Sequence, residues 1–218
     1  MNPSEFVILL DMDDVLINLK KHWVDALNKQ YNRNINYDDI KSWNLLDYYT
    51  NITEEQLYAP LEDVRFWSTV TAKEGAQEAV EWLIKKGYSV YILTAAHPNS
   101  MPFRFALIEK MFPLIDSKHI ITCHNKSMVK GDILIDDNPL NLIGGEYKPI
   151  LMNASHNESF DNRQYNIPRF NGWSEDLYEY IVSLYEDKLA VESESARMIR
   201  HFTGTLYKDD LYDKRFYR

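Results

Sequence analysis

Two pairs of acidic residues each follow a short apolar run in the sequence, Asp11 and Asp13 after the first run and Asp136 and Asp137 after a later one. Carboxylates gathered from separate strands repel one another unless a hard cation lies among them, and oxygen ligands with water suit Mg²⁺ best. A carboxylate beside such a cation can attack phosphorus, while a second, two residues on, can give a proton to the leaving oxygen. The acids therefore predict phosphoryl transfer at a Mg²⁺ site.

Thr94 closes another apolar run. Thr94 and a lysine would hold the oxygens of a phosphate, and the lysine would offset their charge in the transition state. Lys126 and Lys130 compete for this role. A strand that ends near Cys123 places Lys126 just past the strand end, whereas by Lys130 the chain must nearly have returned to the start of the next strand. We therefore choose Lys126.

Each of these residues also has a plainer interpretation. Acids often cap turns, Thr94 could cap a helix, and Lys126 could be a solvated loop charge. Asp14 and Asp137 could each be a hydrated acid or a cap. Four polar groups at four predicted strand ends, in a consistent order, nevertheless favour a phosphate and Mg²⁺ site.

Short buried strands are the elements that must position these side chains. The predicted strands are 6–10, 88–94, 120–122, 133–135 and, at an edge of the sheet, 149–152. Three helices are predicted beside these strands. The first has helical spacing from Ala76 to Ile84 and ends at Gly87, the second covers 103–112, and the third runs from about 175 to about 188. This alternation predicts an α/β fold with a Rossmann-like, doubly wound parallel sheet, in which ligands bind at the carboxyl ends of the strands.

Nearly sixty residues without a strand signal separate the first strand from the helix at Ala76, which is too many for a simple crossover. This segment carries helical signals, including a capping box from Thr53 to Gln56. We therefore expect an α/β core formed by residues 1–17 and 74–189, with residues 18–73 inserted as a small helical cap. Residues 190–218 are expected to be a C-terminal tail, packed or partly disordered.

The composition indicates a folded, soluble protein of 218 residues, with 45% hydrophobic and 26% charged residues. The formal charge of −9 argues against a general nucleic-acid or anionic-membrane binder, so no stable nucleic-acid complex is expected. The single cysteine, Cys123, cannot form an internal disulfide, and a cytoplasmic location is the default. No run approaches the roughly 18 apolar residues that a membrane span needs, so neither export nor membrane insertion is expected.

The motifs resemble those of the haloacid dehalogenase superfamily of phosphotransferases. Leu-Asp-Met-Asp-Asp-Val-Leu at 10–16 is similar to its first motif, a hydrophobic strand followed by Asp-x-Asp-x-[Val/Thr]. Ile-Leu-Thr at 92–94 is similar to its second motif, and Asn-Lys-Ser at 125–127 and Ile-Leu-Ile-Asp-Asp at 133–137 are similar to its lysine and acidic motifs. The short cap, the Asp-Met-Asp sequence and the position of the lysine most resemble the 5'(3')-deoxyribonucleotidases within this superfamily.

The resemblance implies a role for each motif residue. Asp11 would be the nucleophile that forms an aspartyl-phosphate, and Asp13 would be the general acid and then the base that activates water. Mg²⁺ would be held by the Asp11 carboxylate, the backbone carbonyl of Asp13 and Asp136, with Asp137 supporting the water shell of the metal. Thr94 and Lys126 would bind the phosphate.

The sequence departs from the family pattern at three positions. Many members have Gly where Asp14 stands, related nucleotidases often have a hydroxyl residue where Ala95 follows Thr94, and His124 replaces a basic residue commonly found near the lysine. These departures bear on how the substrate is recognised. The candidate substrate-binding residues, each of which could instead serve packing or remain solvated, are Trp43, Phe66, Trp67, His97 and His124.

The sequence thus predicts a Mg²⁺-dependent phosphomonoesterase that acts on a small phosphomonoester, a (deoxy)ribonucleoside monophosphate in the first instance. The alternative substrate is another small phosphomonoester or a nucleic-acid 3'-phosphate, because the core chemistry is indifferent to the leaving group. The non-enzymatic alternatives are an idle scaffold and a phosphorylated receiver. The tail from residue 190, with Tyr207, Leu211 and Tyr212 near helical spacing, could pack on the domain or on a second subunit, which would make a homodimer.

Overall fold

The computed structural model describes residues 2–209, and these divide into a unit that ends at Ser174 and a second unit that begins at Glu175. The first unit contains a six-stranded, fully parallel sheet in the order β3-β2-β1-β4-β5-β6. The strands are β1 (Val7–Leu10), β2 (Ser89–Thr94), β3 (Ile120–Thr122), β4 (Ile133–Asp136), β5 (Lys148–Met152) and β6 (Arg169–Phe170). The predicted Rossmann-like parallel sheet is confirmed.

The central strands form because their sequences are continuous apolar runs, which is the pattern of strands covered on both faces. Leu9, Leu93, Leu134 and Leu151 come from four neighbouring strands and belong to one buried cluster. This cluster fixes the strands side by side, so the residues that follow the strands are held on a rigid support.

The outer part of the sheet differs from the prediction in one respect. Strand β5 is not an edge strand, because β6 pairs with it through Leu151 and Met152. Strand β6 has only two residues, Arg169 and Phe170, and the sequence has no apolar run at this position that would predict it. A strand this short gives no periodic signal that sequence analysis can detect.

The helices of the first unit fall into two groups. Helices α4 (Ala76–Lys85) and α5 (Met101–Met111) precede and follow β2 in the chain. The other helices, which lie between β1 and α4, are α1 (Leu19–Tyr31), α2 (Glu54–Tyr58) and α3 (Val64–Trp67). Helix α2 begins at a capping box in which the Gln56 N–H donates to Thr53 Oγ1 (3.2 Å) and the Thr53 N–H donates to Gln56 Oε1 (2.9 Å).

The segment between β1 and α4 has a hydrophobic cluster of its own. Its buried members are Val24, Leu27, Ile40, Leu45, Tyr49 and Leu57. The chain enters and leaves the segment side by side, because Ile17 pairs with Ala72 in an antiparallel bridge and the Asn18 N–H donates to the carbonyl of Thr71 (3.0 Å). The segment therefore has its own hydrophobic core, and the two chain crossings that join it to the rest of the unit lie side by side.

The second unit is helix α6 (Glu175–Asp209). It continues past the predicted end near Lys188, because the chain has no Pro or Gly stop signal until Gly204. Residues 210–218, which include Leu211 and Tyr212 of the predicted tail, lie outside the described residues. None of the helices in the described part of the chain is long and apolar enough to cross a membrane.

Candidate active site

The carboxyl ends of four adjacent strands, β3, β2, β1 and β4, bring four polar residues to one edge of the sheet. Asp11 follows β1, Thr94 ends β2 and Asp136 ends β4. The backbone N–H of Asp11 donates to the carbonyl of Ile135 in β4 (2.9 Å), which fixes the first acid relative to the second. Lys126, from the turn after β3, completes the group, and all four polar residues are buried.

Lys126 links the two acids. Its Nζ atom donates to Oδ1 of Asp11 and to Oδ2 of Asp136, the latter at 2.6 Å. Burial alone would lower the pKa of Lys126, but the two carboxylates raise it by a larger amount. The pKa of Lys126 therefore lies above the ordinary value for a lysine. Lys130 is placed differently, since it is largely exposed and pairs with Glu146 at 2.5 Å. The structure thus separates the two candidate lysines.

Asp136 is held on its other side by backbone and side-chain amides. The N–H of Asn138 donates to Oδ1 of Asp136 (2.8 Å), and Nδ2 of Asn141 lies 3.2 and 3.1 Å from the two carboxylate oxygens. Asp136 therefore has a fixed orientation toward Lys126.

Three acids at this edge fit a divalent cation. Asp11, Asp136 and Asp137 each offer a carboxylate oxygen, and these oxygens all lie within 4.8 Å of one another. Burial raises the pKa of Asp11 to about 8, of Asp136 to about 6 and of Asp137 to about 8, because water no longer solvates the negative charges. Asp137 Oδ1 is buried and has no hydrogen-bond partner within residues 2–209. A bound cation would supply the missing partner and the missing positive charge.

Thr94 is fully buried at the end of β2. Among the described residues, its Oγ1 atom makes no hydrogen bond. A buried hydroxyl without a partner is costly, and an oxygen-rich anion at the strand ends would satisfy it. Thr94 thus lies at the strand ends, where sequence analysis predicts that it binds phosphate.

Asp13 has a partner that sequence analysis missed. The guanidinium of Arg104, on helix α5, donates to Oδ1 of Asp13 at 2.5 Å, and Arg104 Nε donates to the hydroxyl of Ser100 (3.0 Å). The guanidinium also lies over the ring of Trp67, 4.9 Å from its centroid. Arg104 is buried, whereas the side chain of Asp13 is 27% exposed, so the carboxylate is held in place and still reaches solvent.

A second buried group lies beside the first. Asp14, Asp137 and His156 place one potential ligand atom each within 4.8 Å of one another. His156 Nε2 is 2.7 Å from Asp137 Oδ2, and burial lowers the pKa of His156 to about 4. Burial also raises the pKa of Asp14 to about 7. Lys73 Nζ donates to the carbonyl of Asp14 (2.7 Å).

Asp14 has a backbone conformation that explains one departure from the family pattern. Its φ angle is +54°, in the left-handed region that favours glycine. Asp tolerates this region better than most residues, and Asp14 Oδ1 accepts a hydrogen bond from the N–H of Lys20 (3.2 Å). Glycine, which many members have here, would adopt the same backbone without strain.

A cavity of about 650 Å³ opens next to the end of β2. Its lining comprises Glu54, Glu55, Tyr58, Ala59, Leu61, Glu62, Ala95, His97, Ser100 and His124. The structure thus brings His97 and His124, two predicted substrate-binding residues, to a cavity that is also lined by Ala95, the residue after Thr94. Residues of helix α2 also line the cavity, so the segment between β1 and α4 contributes directly to it.

The three predicted aromatic residues are placed elsewhere. The cavity lining, within the described part of the chain, does not include Trp43, Phe66 or Trp67. Phe66 and Trp67 are buried, and Trp67 stacks on Phe103 with ring centroids 6.5 Å apart. Trp43 is 53% exposed, and its ring is nearly perpendicular to the ring of His156, with 5.0 Å between the centroids.

The fold is shared with solved haloacid dehalogenase-like proteins. A haloacid dehalogenase-like hydrolase from Streptococcus pneumoniae aligns with a TM-score of 0.60 at 15% identity, covering 82% of this chain and 99% of the other. A predicted phosphatase from Clostridium acetobutylicum aligns with a TM-score of 0.59 at 12% identity, with the same coverage. The chain therefore has the haloacid dehalogenase-like fold, with the polar residues described above at its strand ends.

The sequence comparisons identify the family within this class. The family described as 5' nucleotidase, deoxy (pyrimidine), cytosolic type C matches residues 5–185, and the chain belongs to it. The 5'(3')-deoxyribonucleotidase of Clostridium acetobutylicum is 35% identical over 154 residues, 71% of this chain and 84% of that protein. The 5'(3')-deoxyribonucleotidase of Bacillus subtilis is 36% identical over 159 residues, 72% and 90% of the two chains. The resemblance seen in the motifs is confirmed.

Proposed function

We propose that the protein is a Mg²⁺-dependent phosphomonoesterase that removes phosphate from (deoxy)ribonucleoside monophosphates through an aspartyl-phosphate on Asp11. The observation that carries the proposal is the buried group of Asp11, Lys126 and Asp136 at the strand ends, together with the Thr94 hydroxyl at the end of β2, which makes no hydrogen bond to any described residue. Relatives named 5'(3')-deoxyribonucleotidases support a nucleotide as the substrate.

The first half of the reaction transfers the phosphoryl group to the protein. An oxygen of Asp11 attacks phosphorus, the new O–P bond forms, and the bond from phosphorus to the ester oxygen breaks. Asp13, two residues further on, gives its proton to the departing oxygen, so that the nucleoside leaves as an alcohol. Arg104 holds the Asp13 carboxyl group at 2.5 Å and keeps it directed at one place.

The second half returns Asp11 to its starting state. Asp13, now a carboxylate, takes a proton from water, and the water oxygen attacks phosphorus. The bond from phosphorus to Asp11 breaks, and inorganic phosphate leaves. Thr94 and Lys126 bind the phosphoryl oxygens in both halves, and the ammonium offsets the negative charge that grows on them.

The residues that would hold Mg²⁺ are Asp11, Asp136 and the backbone carbonyl of Asp13, with Asp137 supporting its water shell. When bound, Mg²⁺ supplies positive charge to the phosphoryl oxygens and offsets the repulsion between the acids. Oxygen-only donors favour Mg²⁺ over softer metals.

The helical segment 18–73 serves as the cap of this active site. Its helix α2 lines the cavity beside Ala95, His97 and His124, and the cavity volume of about 650 Å³ suits a small leaving group. A cap in this position excludes bulk water from the phosphoryl group and selects the leaving group.

The test is phosphate release from a panel of substrates. The panel contains deoxyribo- and ribonucleoside 5'- and 3'-monophosphates, sugar phosphates and a 3'-phosphorylated oligonucleotide, each with Mg²⁺ or with EDTA. We expect selective, Mg²⁺-dependent release from nucleoside monophosphates, and none from the Asp11→Asn variant. If phosphate were released only from another class of monoester, the proposed mechanism would stand and the proposed substrate would be wrong. No release from any compound would contradict the proposal.

A further inference from the structure

The two carboxylate oxygens of Asp137 differ in their hydrogen bonding. Oδ2 lies 2.7 Å from Nε2 of His156, whereas Oδ1 is buried and makes no hydrogen bond to any described residue. Asp137 also belongs to the acid cluster with Asp11 and Asp136. One side of this carboxylate is thus secured, and the other is free for a ligand.

His156 and its neighbour hold Asp137 at both its side chain and its backbone. Nδ2 of Asn157 donates to the carbonyl oxygens of Asp137 (2.7 Å) and Met152 (2.9 Å). Arg169, on β6, donates to Oδ1 of Asn157 (2.7 Å) and to the carbonyl of the same residue (3.1 Å). The short turn after β5 is therefore a fixed support for the His156 ring.

Trp43 covers His156 from the side of the helical segment. The two rings are 5.0 Å apart and meet at 79°, an edge contact. Nζ of Lys20 lies over the Trp43 ring, 4.7 Å from its centroid. The segment between β1 and α4 thus contacts the support of Asp137 through one aromatic side chain.

An ionised Asp137 can only accept a hydrogen bond, so Nε2 of His156 is the donor, and the charges around His156 argue against a second metal ion there. Asp14 and Asp137 bring two acids to this group, and Lys20 and Lys73 bring two ammonium groups. The Lys73 ammonium is bound to the carbonyl of Asp14 (2.7 Å), so the group already contains compensating positive charge. A divalent cation here would face both lysines.

We propose that His156 is a positioning residue for the divalent-cation site: its Nε2–H holds Asp137 Oδ2, so that Asp137 Oδ1 is presented in a fixed place, and Trp43 holds the ring. This inference rests on the proposed function, because it takes the cluster of Asp11, Asp136 and Asp137 to bind a divalent cation. An outer hydrogen bond of this kind orients a carboxylate and sets metal affinity.

The test is binding of Mn²⁺ to the EDTA-treated, full-length protein without substrate, measured as free Mn²⁺ by electron paramagnetic resonance. His156→Gln keeps an N–H near the position of Nε2, whereas His156→Phe and the shorter His156→Asn remove it. We expect one Mn²⁺ per chain, near-normal affinity for the Gln variant, and a loss of about 10- to 100-fold for Phe and Asn. Trp43→Leu should lose affinity in the same direction by a smaller factor.

The same variants have an activity signature that a merely structural role would not give. In the Phe and Asn variants, the Mg²⁺ concentration that gives half-maximal activity should rise. The KM for the substrate should be unchanged, and excess Mg²⁺ should restore kcat to the wild-type value. If the Phe variant does not fold, as judged by its melting curve, the Asn and Gln pair gives the comparison.

Each contrary outcome has a distinct meaning. Equal Mn²⁺ affinity for wild type and the Gln, Asn and Phe variants would overturn the positioning role of His156. If Asp136→Asn nevertheless lost Mn²⁺ binding, the cation site of the proposed function would still stand. Two Mn²⁺ per chain, with one lost in His156→Asn, would overturn it in favour of a ligand role. No Mn²⁺ binding to wild type would overturn both this inference and the cation site of the proposed function.

Discussion

The Nζ atom of Lys126 donates a hydrogen bond to Oδ1 of Asp11, although the two residues are 115 positions apart in the chain. Both side chains are nearly inaccessible to solvent. The second carboxylate bound to this lysine, Asp136, is fully buried as well. The lysine thus neutralises acids that would otherwise be buried side by side without a counter-charge.

Replacing Lys126 should therefore affect both activity and stability. We expect Lys126→Met to lose phosphatase activity by about 10²- to 10³-fold, because the charge on the phosphoryl oxygens is no longer offset. In metal-free buffer the same variant should lose about 3–5 kcal/mol in the free energy of unfolding, since two buried acids lose their partner. Lys130→Met is the matched control, with unchanged kcat/KM and a stability change within about 0.5 kcal/mol. Equal effects of the two substitutions would contradict the assignment.

The hydrogen bond from Arg104 to Asp13 predicts a dependence on the leaving group. A nucleoside alcohol needs a proton as it leaves, whereas p-nitrophenolate leaves readily without one. Asp13→Asn should therefore slow nucleotide hydrolysis by about 10²- to 10⁴-fold and p-nitrophenyl phosphate hydrolysis by less. Arg104→Met, which removes the partner of Asp13, should show the same pattern with smaller factors. If Arg104→Met lost kcat/KM equally on the nucleotide and on p-nitrophenyl phosphate, Arg104 would serve packing alone.

The raised pKa values of the acid cluster predict how metal binding depends on pH. Asp11 and Asp137, with pKa values of about 8, and Asp136, with a pKa of about 6, must lose their protons to bind a cation. As the pH falls from 8 to 6, protons compete increasingly, so apparent Mg²⁺ affinity should fall.

The pH effect can be measured as the rise in Tm that Mg²⁺ produces at pH 6, 7 and 8. Without metal, the three acids make the folded state less stable as pH rises through this range, because unfolded aspartates, with pKa values of about 4, have already released their protons. The added stability from Mg²⁺ should thus be largest at pH 8. Asp136→Asn should show a much smaller rise at every pH. A rise in Tm that is independent of pH would refute this linkage.

The left-handed backbone at Asp14 gives a prediction about stability. Asp14→Gly and Asp14→Ala both lose the hydrogen bond from the Lys20 N–H to Oδ1. Only glycine adopts a φ of +54° without strain. The Gly variant should be more stable than the Ala variant by about 1 kcal/mol in urea denaturation. An Ala variant as stable as the Gly variant would show that the backbone relaxes at this position.

The strand ends are the part of the molecule that sequence reasoning predicts well. Continuous apolar runs announce β1, β2 and β4, and parallel pairing then brings Asp11, Thr94 and Asp136 to one edge whatever their separation in the chain. The identity of the turn lysine follows from the same topology. Local patterns are sufficient here because the sheet itself supplies the convergence.

The supporting residues could not be predicted in this way. Arg104 lies in a helix between Phe103 and Phe105, and nothing in helical spacing indicates a carboxylate 91 positions earlier as its partner. His156 follows Asp137 by 19 residues of chain that have no common motif. Such contacts depend on the rotamers of packed side chains, which only the assembled structure defines.

The side-by-side ends of the helical segment, joined by the bridge between Ile17 and Ala72, make that segment exchangeable. A different insertion could be grafted at the same two points without changing the register of β1 against β2 and β4. Within the proposed function, mutations in helix α2 would change one part of the cavity lining, and so the choice of leaving group, while the residues at the strand ends would keep the same chemistry.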